Sequence, residues 1–187
     1  MRRFLPLSAR VKANIERAVK LIEGCRECAH ILPEVGTNIA MALPDAKSLE
    51  EVAGLTGRII RVEDQAVGVG EPKFGATRHM GTVLLAAMRH NPKFRAAINI
   101  KYAPEIIRIC GELGMEARTY EWEEKPKEAV EFKCTIPFTI DKIGRAPEVV
   151  YDLGDFGIEA SVTIFGSTAI DVARKAIKIG KRYAKEG

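Results

Sequence analysis

Apolar residues recur every three or four positions in several stretches of the chain, which is the spacing of an amphipathic helix. The first such stretch predicts a helix over residues 9–23, with Ser8 as its N-cap and Gly24 as its end. The same spacing and the usual start and stop signals predict three further helices, over residues 77–90, from Pro104 to Gly114, and from about Thr168 to Tyr183.

Short runs rich in β-branched residues predict strands between these helices. Residues 57–70 predict a β-hairpin, because two such runs flank a polar turn at Glu63, Asp64 and Gln65. A capping box formed by Ser48 and Glu51 predicts a short helix that ends near Gly54, and the polar segment 123–135 predicts a mobile loop. Single strands are predicted at residues 38–43, 96–100, 116–122, 148–152 and 161–165.

Strands and helices therefore mix without strict alternation. This order favours a three-layer α/β/α or α+β domain with a mixed sheet over a purely parallel sheet. A length of 187 residues suits one domain, in which residues 1–30 form an N-terminal helical extension. The apolar stripe of the first helix is expected to pack on the main body, or else the helix is the tail of an upstream domain. If the stripe is exposed, a homo-oligomer is expected.

The composition narrows the class of protein. Apolar residues make up 47% of the chain, yet no run approaches the ~20 residues needed to span a bilayer, and the start is too short for a signal peptide. The chain is therefore expected in the cytoplasm without a membrane partner. A net charge of +4 is too weak to indicate nucleic acid, and it fits an anionic small substrate equally well.

The cysteines favour neither a metal site nor redox chemistry. Cys25 and Cys28 form a CREC motif with His30 close behind, but a zinc site usually needs a second pair of ligands, and none follows. A redox pair is expected at a strand-to-helix junction, whereas this one lies near the end of a predicted helix. Ordinary, partly buried thiols are the favoured interpretation.

The segment GEPKFGATRHM carries the clearest chemical signal. Glycines at 68, 70 and 75 come just before a predicted helix, for which Thr77 is a suitable N-cap. The amides of Gly75, Ala76, Thr77 and Arg78 are therefore expected to point out of the helix start, where they suit a phosphate. Arg78 and His79 add charge in the first turn. The alternative is a tight turn followed by an ordinary capped surface helix.

Two further polar residues follow on a predicted strand. Asn99 and Lys101 are two positions apart, so they are expected on the same side of the strand, either facing a cleft or simply facing water. The three histidines are far apart in the sequence, and only His79 lies in a setting typical of a functional site.

Four segments together resemble one known family. NIAMALPDAKSLEEVAGLTGRII, VGEPKFGATRHMGTVLLAAMRHNP, RAAINIKY and PEVVYDLGDFG are similar to the ThiN-type thiamine-phosphate synthase domain, which is often fused behind hydroxymethylpyrimidine phosphate kinase. The resemblance covers about residues 31–180 and assigns residues 31–187 to this domain. It implies a fold similar to the class II (fuculose-phosphate) aldolases, with a mixed, largely antiparallel sheet.

The resemblance also implies an activity and a site. The family condenses hydroxymethylpyrimidine diphosphate with hydroxyethylthiazole phosphate to thiamine phosphate and pyrophosphate, and we expect Mg²⁺ to accompany the substrate diphosphate. Its catalytic arginine and histidine fall on Arg58 and His79. Thr77 replaces the serine of the same motif, Lys101 keeps the positive charge of the NIRY motif, and Asp155 of GDFG is expected to bind substrate.

The second half of the chain departs from the family pattern. EWEEKP replaces a DRREEP-like stretch, and TIPFTI, with Phe138 and Thr139, replaces a Trp-Gly pair. Ile158 stands where the family usually has a lysine, and Ala160 where it has a proline. These changes keep open a second hypothesis, a non-catalytic thiamine-phosphate sensor. A metal-dependent aldolase is less favoured, because three scattered histidines do not supply its metal ligands.

Overall fold

The computed structural model describes residues 5–123 and 125–186. Within these ranges the α-helices are α1 (Leu7–Glu23), α2 (Arg78–His90), α3 (Pro104–Glu112), α4 (Lys127–Phe132), α5 (Ile136–Ile143) and α6 (Ala169–Tyr183). The strands are β1 (Ile39–Ala42), β2 (Val52–Leu55), β3 (Ile59–Val62), β4 (Gln65–Gly68), β5 (Pro72–Phe74), β6 (Ala96–Lys101), β7 (Ala117–Arg118), β8 (Val149–Asp152) and β9 (Ser161–Gly166). Two short 3₁₀ helices cover Arg26–Ile31 and Leu49–Glu51.

Seven of these strands form one sheet in the order β5-β2-β1-β6-β9-β8-β7. Every neighbouring pair is antiparallel except β7 and β8, which run parallel. The other two strands, β3 and β4, pair with each other as the predicted hairpin. The expected mixed, largely antiparallel sheet is therefore confirmed.

Helices cover both faces of the sheet because its central strands are apolar on both sides. In β6, Ile98 and Ile100 face the cluster formed with α1, α3 and α6, whereas Ala97 faces the cluster formed with α2 and α5. In β9, Ile164 and Phe165 divide between the two clusters in the same way. The result is three layers, α/β/α, as predicted. No helix in the described part of the chain is long and apolar enough to cross a membrane.

Helix α1 belongs to the main core. Its apolar stripe is buried and joins the larger of the two core clusters, through Val11, Ile15, Ala18, Val19 and Ile22. The Oδ1 atom of Asn14 accepts a hydrogen bond from the Ile170 amide at 3.1 Å, which joins α1 to the start of α6. The stripe therefore packs on the chain's own body and offers no support for the predicted homo-oligomer.

The start of α1 differs from the prediction. Pro6 is at the N-cap position and Ser8 lies inside the helix, without a capping role. A proline suits a helix start because it has no N–H to leave unpaired and its φ is fixed near the helical value.

The capping box at Ser48 and Glu51 is confirmed, but the helix after it is only Leu49–Glu51. The chain then enters β2 instead of continuing as a helix to Gly54, because β2 pairs with both β1 and β5. Gly54 has a packing role in this strand, since a Cβ there would overlap the side-chain methyl of Thr77.

Segment 116–143 differs most from the prediction. The strand predicted over 116–122 is reduced to β7, and the predicted loop at 123–135 contains α4. Only Ala129 of α4 is fully buried, so the segment shows too few apolar positions for a helical period. Helix α5 follows, with Ile136 and Ile140 in the core, and it ends at Gly144 in a left-handed conformation.

Candidate active site

Arg58 and His79, which come from separate motifs, line one cleft of about 280 Å³. We call it the Arg58 cleft. Its other polar or charged lining residues are Asn38, Asn99, Lys133, Glu159 and Ser161, and its less polar wall includes Pro33, Val35 and Ile158. Its size is near the lower end of the range of small-ligand sites.

Arg58 is held at the rim of this cleft by the loop before β1. One terminal nitrogen of its guanidinium donates a hydrogen bond to the carbonyl oxygen of Val35. Gly36, with φ 82°, passes so close that a Cβ there would lie 3.2 Å from the Arg58 side chain. The guanidinium has five N–H donors, so this contact orients the group and leaves donors for a ligand. Arg58 is exposed, so a ligand can reach it.

His79 lies in the first turn of α2 and faces both Arg58 and α4. Its imidazole ring stacks on Phe132, with ring centres 5.0 Å apart and an interplanar angle of 12°. The pKa of His79 is lowered, first because the ring is partly removed from water and second because of the positive charge of Arg58. Asp152 opposes this shift without reversing it. The lowered pKa favours the neutral ring at pH 7, although the residue as a whole is exposed.

Asn38 and Asn99 hold the floor of the cleft together. The Oδ1 atom of Asn99 accepts a hydrogen bond of 2.6 Å from the Asn38 amide, and the Asn99 amide donates to the Asn38 carbonyl at 3.2 Å. These bonds orient the Asn99 side chain with its NH₂ group as the remaining donor. The cleft is thus supplied with a neutral donor beside the cationic Arg58.

The only carboxylate among the described lining residues is already engaged. Glu159 accepts hydrogen bonds from the amides of Glu34 and Val35, at 2.9 and 3.2 Å, and so joins the loop after β8 to the loop that holds Arg58. With Arg58 and Lys133 both cationic, the cleft suits an anionic ligand.

A buried aspartate, Asp152, positions the loop after β8, which also lines the cleft. One carboxylate oxygen of Asp152 accepts from the amide and the hydroxyl of Thr135, at 2.7 and 2.6 Å. The other accepts from the Gly154 amide at 2.8 Å. Asp152 therefore joins the start of α5 to the loop that carries Ile158 and Glu159 into the cleft.

A second cavity of about 580 Å³ adjoins the first and shares His79 with it. We call it the Arg78 groove. Its remaining described lining residues are Arg78, Glu128, Glu131 and Phe132. His79 therefore lines two compartments, one with two cations and one carboxylate and the other with one cation and two carboxylates.

The start of α2 only partly matches the phosphate site expected from the sequence. The Gly75 amide donates to the Val52 carbonyl at 3.0 Å, so it is not free to bind an anion, because β5 pairs with β2 at this point. Thr77 is at the N-cap position, but its hydroxyl does not cap the helix, and the residue is buried. Among the described residues, Arg78 and His79 line these two cavities, whereas Gly75, Ala76 and Thr77 do not.

Lys101 and Asp155 are not brought into the Arg58 cleft. The ammonium group of Lys101 lies 4.6 Å from the ring centre of Tyr183 on α6, because the strand ends there and its side chain turns to that layer. Asp155 forms an ion pair of 2.9 Å with Lys125 and lines a separate hollow beside Trp122. Their expected substrate contacts stay predictions.

The structure adds residues that the sequence did not single out. Asn38 and Ser161 are the first residues of two predicted strands. Polar residues at strand ends often line a binding site, so these two could have been predicted from the sequence. Phe132 and Lys133 lie in the segment expected to be a loop, and nothing in their spacing placed them beside His79.

Cys25 and Cys28 are buried beneath α6. The Cys25 thiol donates to the Glu27 carboxylate at 3.4 Å, and burial raises the pKa of Cys28 far above its usual value. Among the residues that the structure describes, no three His, Cys, Asp or Glu side chains are grouped to hold a metal ion.

The model of the family described as "Thiamine-phosphate synthase ThiN" matches residues 14–178 of the chain. Thiamine-phosphate synthase ThiN of Methanothermobacter thermautotrophicus is 31% identical over 175 residues, which cover 91% of this chain and 92% of that protein. The bifunctional thiamine biosynthesis protein ThiDN of Methanocaldococcus jannaschii is 35% identical over 156 residues. That match covers 82% of this chain but only 37% of the longer, bifunctional protein.

Solved structures agree with these matches. The C-terminal domain of a phosphomethylpyrimidine kinase superposes with a TM-score of 0.81 at 34% identity, covering 92% of this chain and 99% of that one. A sugar-phosphate aldolase from Thermotoga maritima superposes with a TM-score of 0.51 at 12% identity, covering 95% and 97% of the two chains, and so shares the fold. The expected likeness to the aldolase fold is confirmed. By its sequence and by its structure, the chain belongs to the thiamine-phosphate synthase ThiN family.

Proposed function

We propose that this protein is a thiamine-phosphate synthase, which joins hydroxymethylpyrimidine diphosphate to hydroxyethylthiazole phosphate. The observation that carries the proposal is that Arg58 and His79, 21 positions apart in different motifs, line one cationic cleft. The name of the relative of similar length points to the same activity.

The reaction breaks one bond and forms one bond. Pyrophosphate leaves the pyrimidine methylene with both electrons of the C–O bond, and the thiazole nitrogen then supplies the electron pair of the new C–N bond. Negative charge grows on the departing oxygen, so catalysis depends mainly on cations and donors fixed around it before the reaction. Arg58 supplies a fixed guanidinium for this charge, and the neutral His79 can donate a hydrogen bond to a leaving oxygen.

Magnesium fits this scheme as a companion of the diphosphate. Mg²⁺ is usually bound by one or two carboxylates together with substrate phosphates, and it neutralises part of their charge. Glu128 and Glu131 line the Arg78 groove, which shares His79 with the Arg58 cleft, and they would be suitable carboxylates for an ion held where the two cavities meet.

A sensor is the second candidate, and Ile158 is the observation that favours it. This aliphatic side chain lines the Arg58 cleft at the position where the family pattern has a lysine. A cleft with one cation fewer can still bind the product, yet stabilise the departing pyrophosphate less well.

One experiment separates the two candidates. The protein is incubated with both phosphorylated precursors and Mg²⁺, and thiamine phosphate is detected by mass spectrometry. Product formation that depends on both precursors is expected for the synthase. Tight binding of thiamine phosphate in calorimetry without any turnover would exclude the synthase and leave the sensor.

A further inference from the structure

Lys133 lines the same cleft as Arg58 and is its second cationic residue among the described lining residues. It lies between α4 and α5, in a segment whose neighbouring residues are firmly placed. Phe132 stacks on His79, and Cys134 is buried with its amide bonded to the Ala129 carbonyl at 3.2 Å. The backbone of Lys133 is therefore fixed relative to His79, while its side chain is exposed.

The backbone conformation of Lys133 is unusual for a lysine. It ends α4 in the left-handed region, with φ 56° and ψ 37°, where glycine is the common residue. The chain uses glycine in this conformation at the end of α5, at Gly144. A lysine at such a position has a conformational cost, and backbone strain of this kind is often found at functional sites.

The charge of Lys133 is also available. Its ammonium group takes part in none of the ion pairs formed among residues 5–123 and 125–186. Glu159, the carboxylate in the same cleft, is engaged by two backbone amides. Ile158 supplies no charge to the cleft, so Lys133 and Arg58 are the cations among its described lining residues.

We propose that Lys133 and Arg58 together bind a diphosphate group in the Arg58 cleft. The proposal rests on the proposed synthase function and assigns the diphosphate of the pyrimidine substrate to this compartment. The charges of the two compartments support this assignment. A diphosphate carries several negative charges. In the absence of a metal ion it is favoured by the Arg58 cleft, which has two cations and one carboxylate, over the Arg78 groove, which has one cation and two carboxylates.

The test compares Lys133→Gly with wild type in calorimetry with inorganic pyrophosphate. Glycine relieves the left-handed backbone, so the variant should unfold at the same temperature as wild type or higher. Pyrophosphate should nevertheless bind about 10- to 100-fold more weakly, as expected for the loss of one charge-assisted hydrogen bond. Lys133→Arg should restore most of the affinity, and Lys127→Gln, a lysine on the same helix outside the cleft, should bind like wild type.

Steady-state kinetics add a second readout. In Lys133→Gly the KM for the pyrimidine diphosphate should rise about tenfold or more, and the KM for the thiazole phosphate should stay within about twofold. Lys133→Met replaces the glycine variant if the latter does not fold.

The outcomes separate this proposal from the proposed function. If wild type forms no product but binds pyrophosphate in a Lys133-dependent way, the synthase proposal fails and the Lys133 proposal stands. If Lys133→Gly binds pyrophosphate like wild type, or if wild type does not bind it at all, the Lys133 proposal is overturned whatever the turnover.

Discussion

At the scale of single residues, the site depends on two side chains that influence each other. Arg58 lowers the pKa of His79, and Phe132 covers one face of the same ring. A fixed cation beside a neutral imidazole suits a leaving group that gains negative charge, because both groups carry N–H donors.

Arg58→Ala is expected to lower kcat/KM by about 10²–10³-fold, because the variant loses the fixed charge that stabilises departing pyrophosphate. Turnover is measured with both precursors and Mg²⁺. Arg61→Ala, in the same hairpin but bonded to the Glu63 carbonyl, is the matched control and should keep wild-type rates. Wild-type rates from Arg58→Ala would remove Arg58 from the mechanism.

The lowered pKa of His79 has a defined effect on stability. Above pH of about 6.5, the ordinary pKa of histidine, the ring is neutral in both the folded and the unfolded chain, so it adds no pH dependence. As the pH falls below that value, the unfolded chain binds the proton first, and the folded state loses stability until the pH is below the folded pKa.

Chemical denaturation at several pH values between 4 and 7 checks this effect. We expect His79→Gln to lose less stability than wild type over this range. In an NMR titration, Arg58→Met should shift the pKa of His79 upwards. An unchanged pKa in that variant would mean that Arg58 does not act on the ring.

At the scale of the elements, the walls of the cleft are held by bonds between loops. Asp152 joins α5 to the loop after β8, and Glu159 joins that loop to the one that orients Arg58. A change at Asp152 therefore reaches the cleft without touching a ligand.

Asp152→Ala should lower the free energy of unfolding by about 2–4 kcal/mol, because it leaves the Thr135 and Gly154 donors without their buried acceptor. Denaturant unfolding measures the loss. Asp141→Ala removes an exposed carboxylate that pairs with Arg89, and it should cost less than about 1 kcal/mol. Equal losses in the two variants would contradict the role given to Asp152.

The sequence predicted elements well where a single local signal dominated. The hairpin, α2, β6, β9 and α6 follow from periodicity and turn residues, and each was found. Prediction was wrong where tertiary pairing decides, as at β2, where two neighbouring strands override the helix expected after Ser48. Arg58 and His79 could be foreseen from motifs, but Lys133 could not, because only the three-dimensional path of α4 brings it to the cleft.

At the scale of the whole molecule, the first and last helices lie side by side on one face of the sheet. Residues of α1 and α6 share the larger core cluster, and Gly180 of α6 packs closely against Cys28. The described residues of segment 1–30 are thus part of the packing on this face of the sheet.

Ile15→Ala should destabilise the protein by about 2–5 kcal/mol, because this fully buried side chain lies in the centre of the α1 stripe. Thermal or denaturant unfolding gives the value. Leu21, on the same helix, is 40% exposed, so Leu21→Ala should cost much less and serves as the control. A loss below 1 kcal/mol for Ile15→Ala would show that α1 is dispensable for the core.

The contact between α1 and α6 can form only late in the synthesis of the chain. Asn14 meets Ile170 only after 156 further residues have been added, which takes about 8–30 s at ordinary rates of synthesis. During that interval the strands β1, β2, β4 and β5, which also contact α1, have already been made, but α6 has not. The part of the apolar stripe that packs on α6 therefore stays exposed on the unfinished chain, and it is a surface that a chaperone can bind.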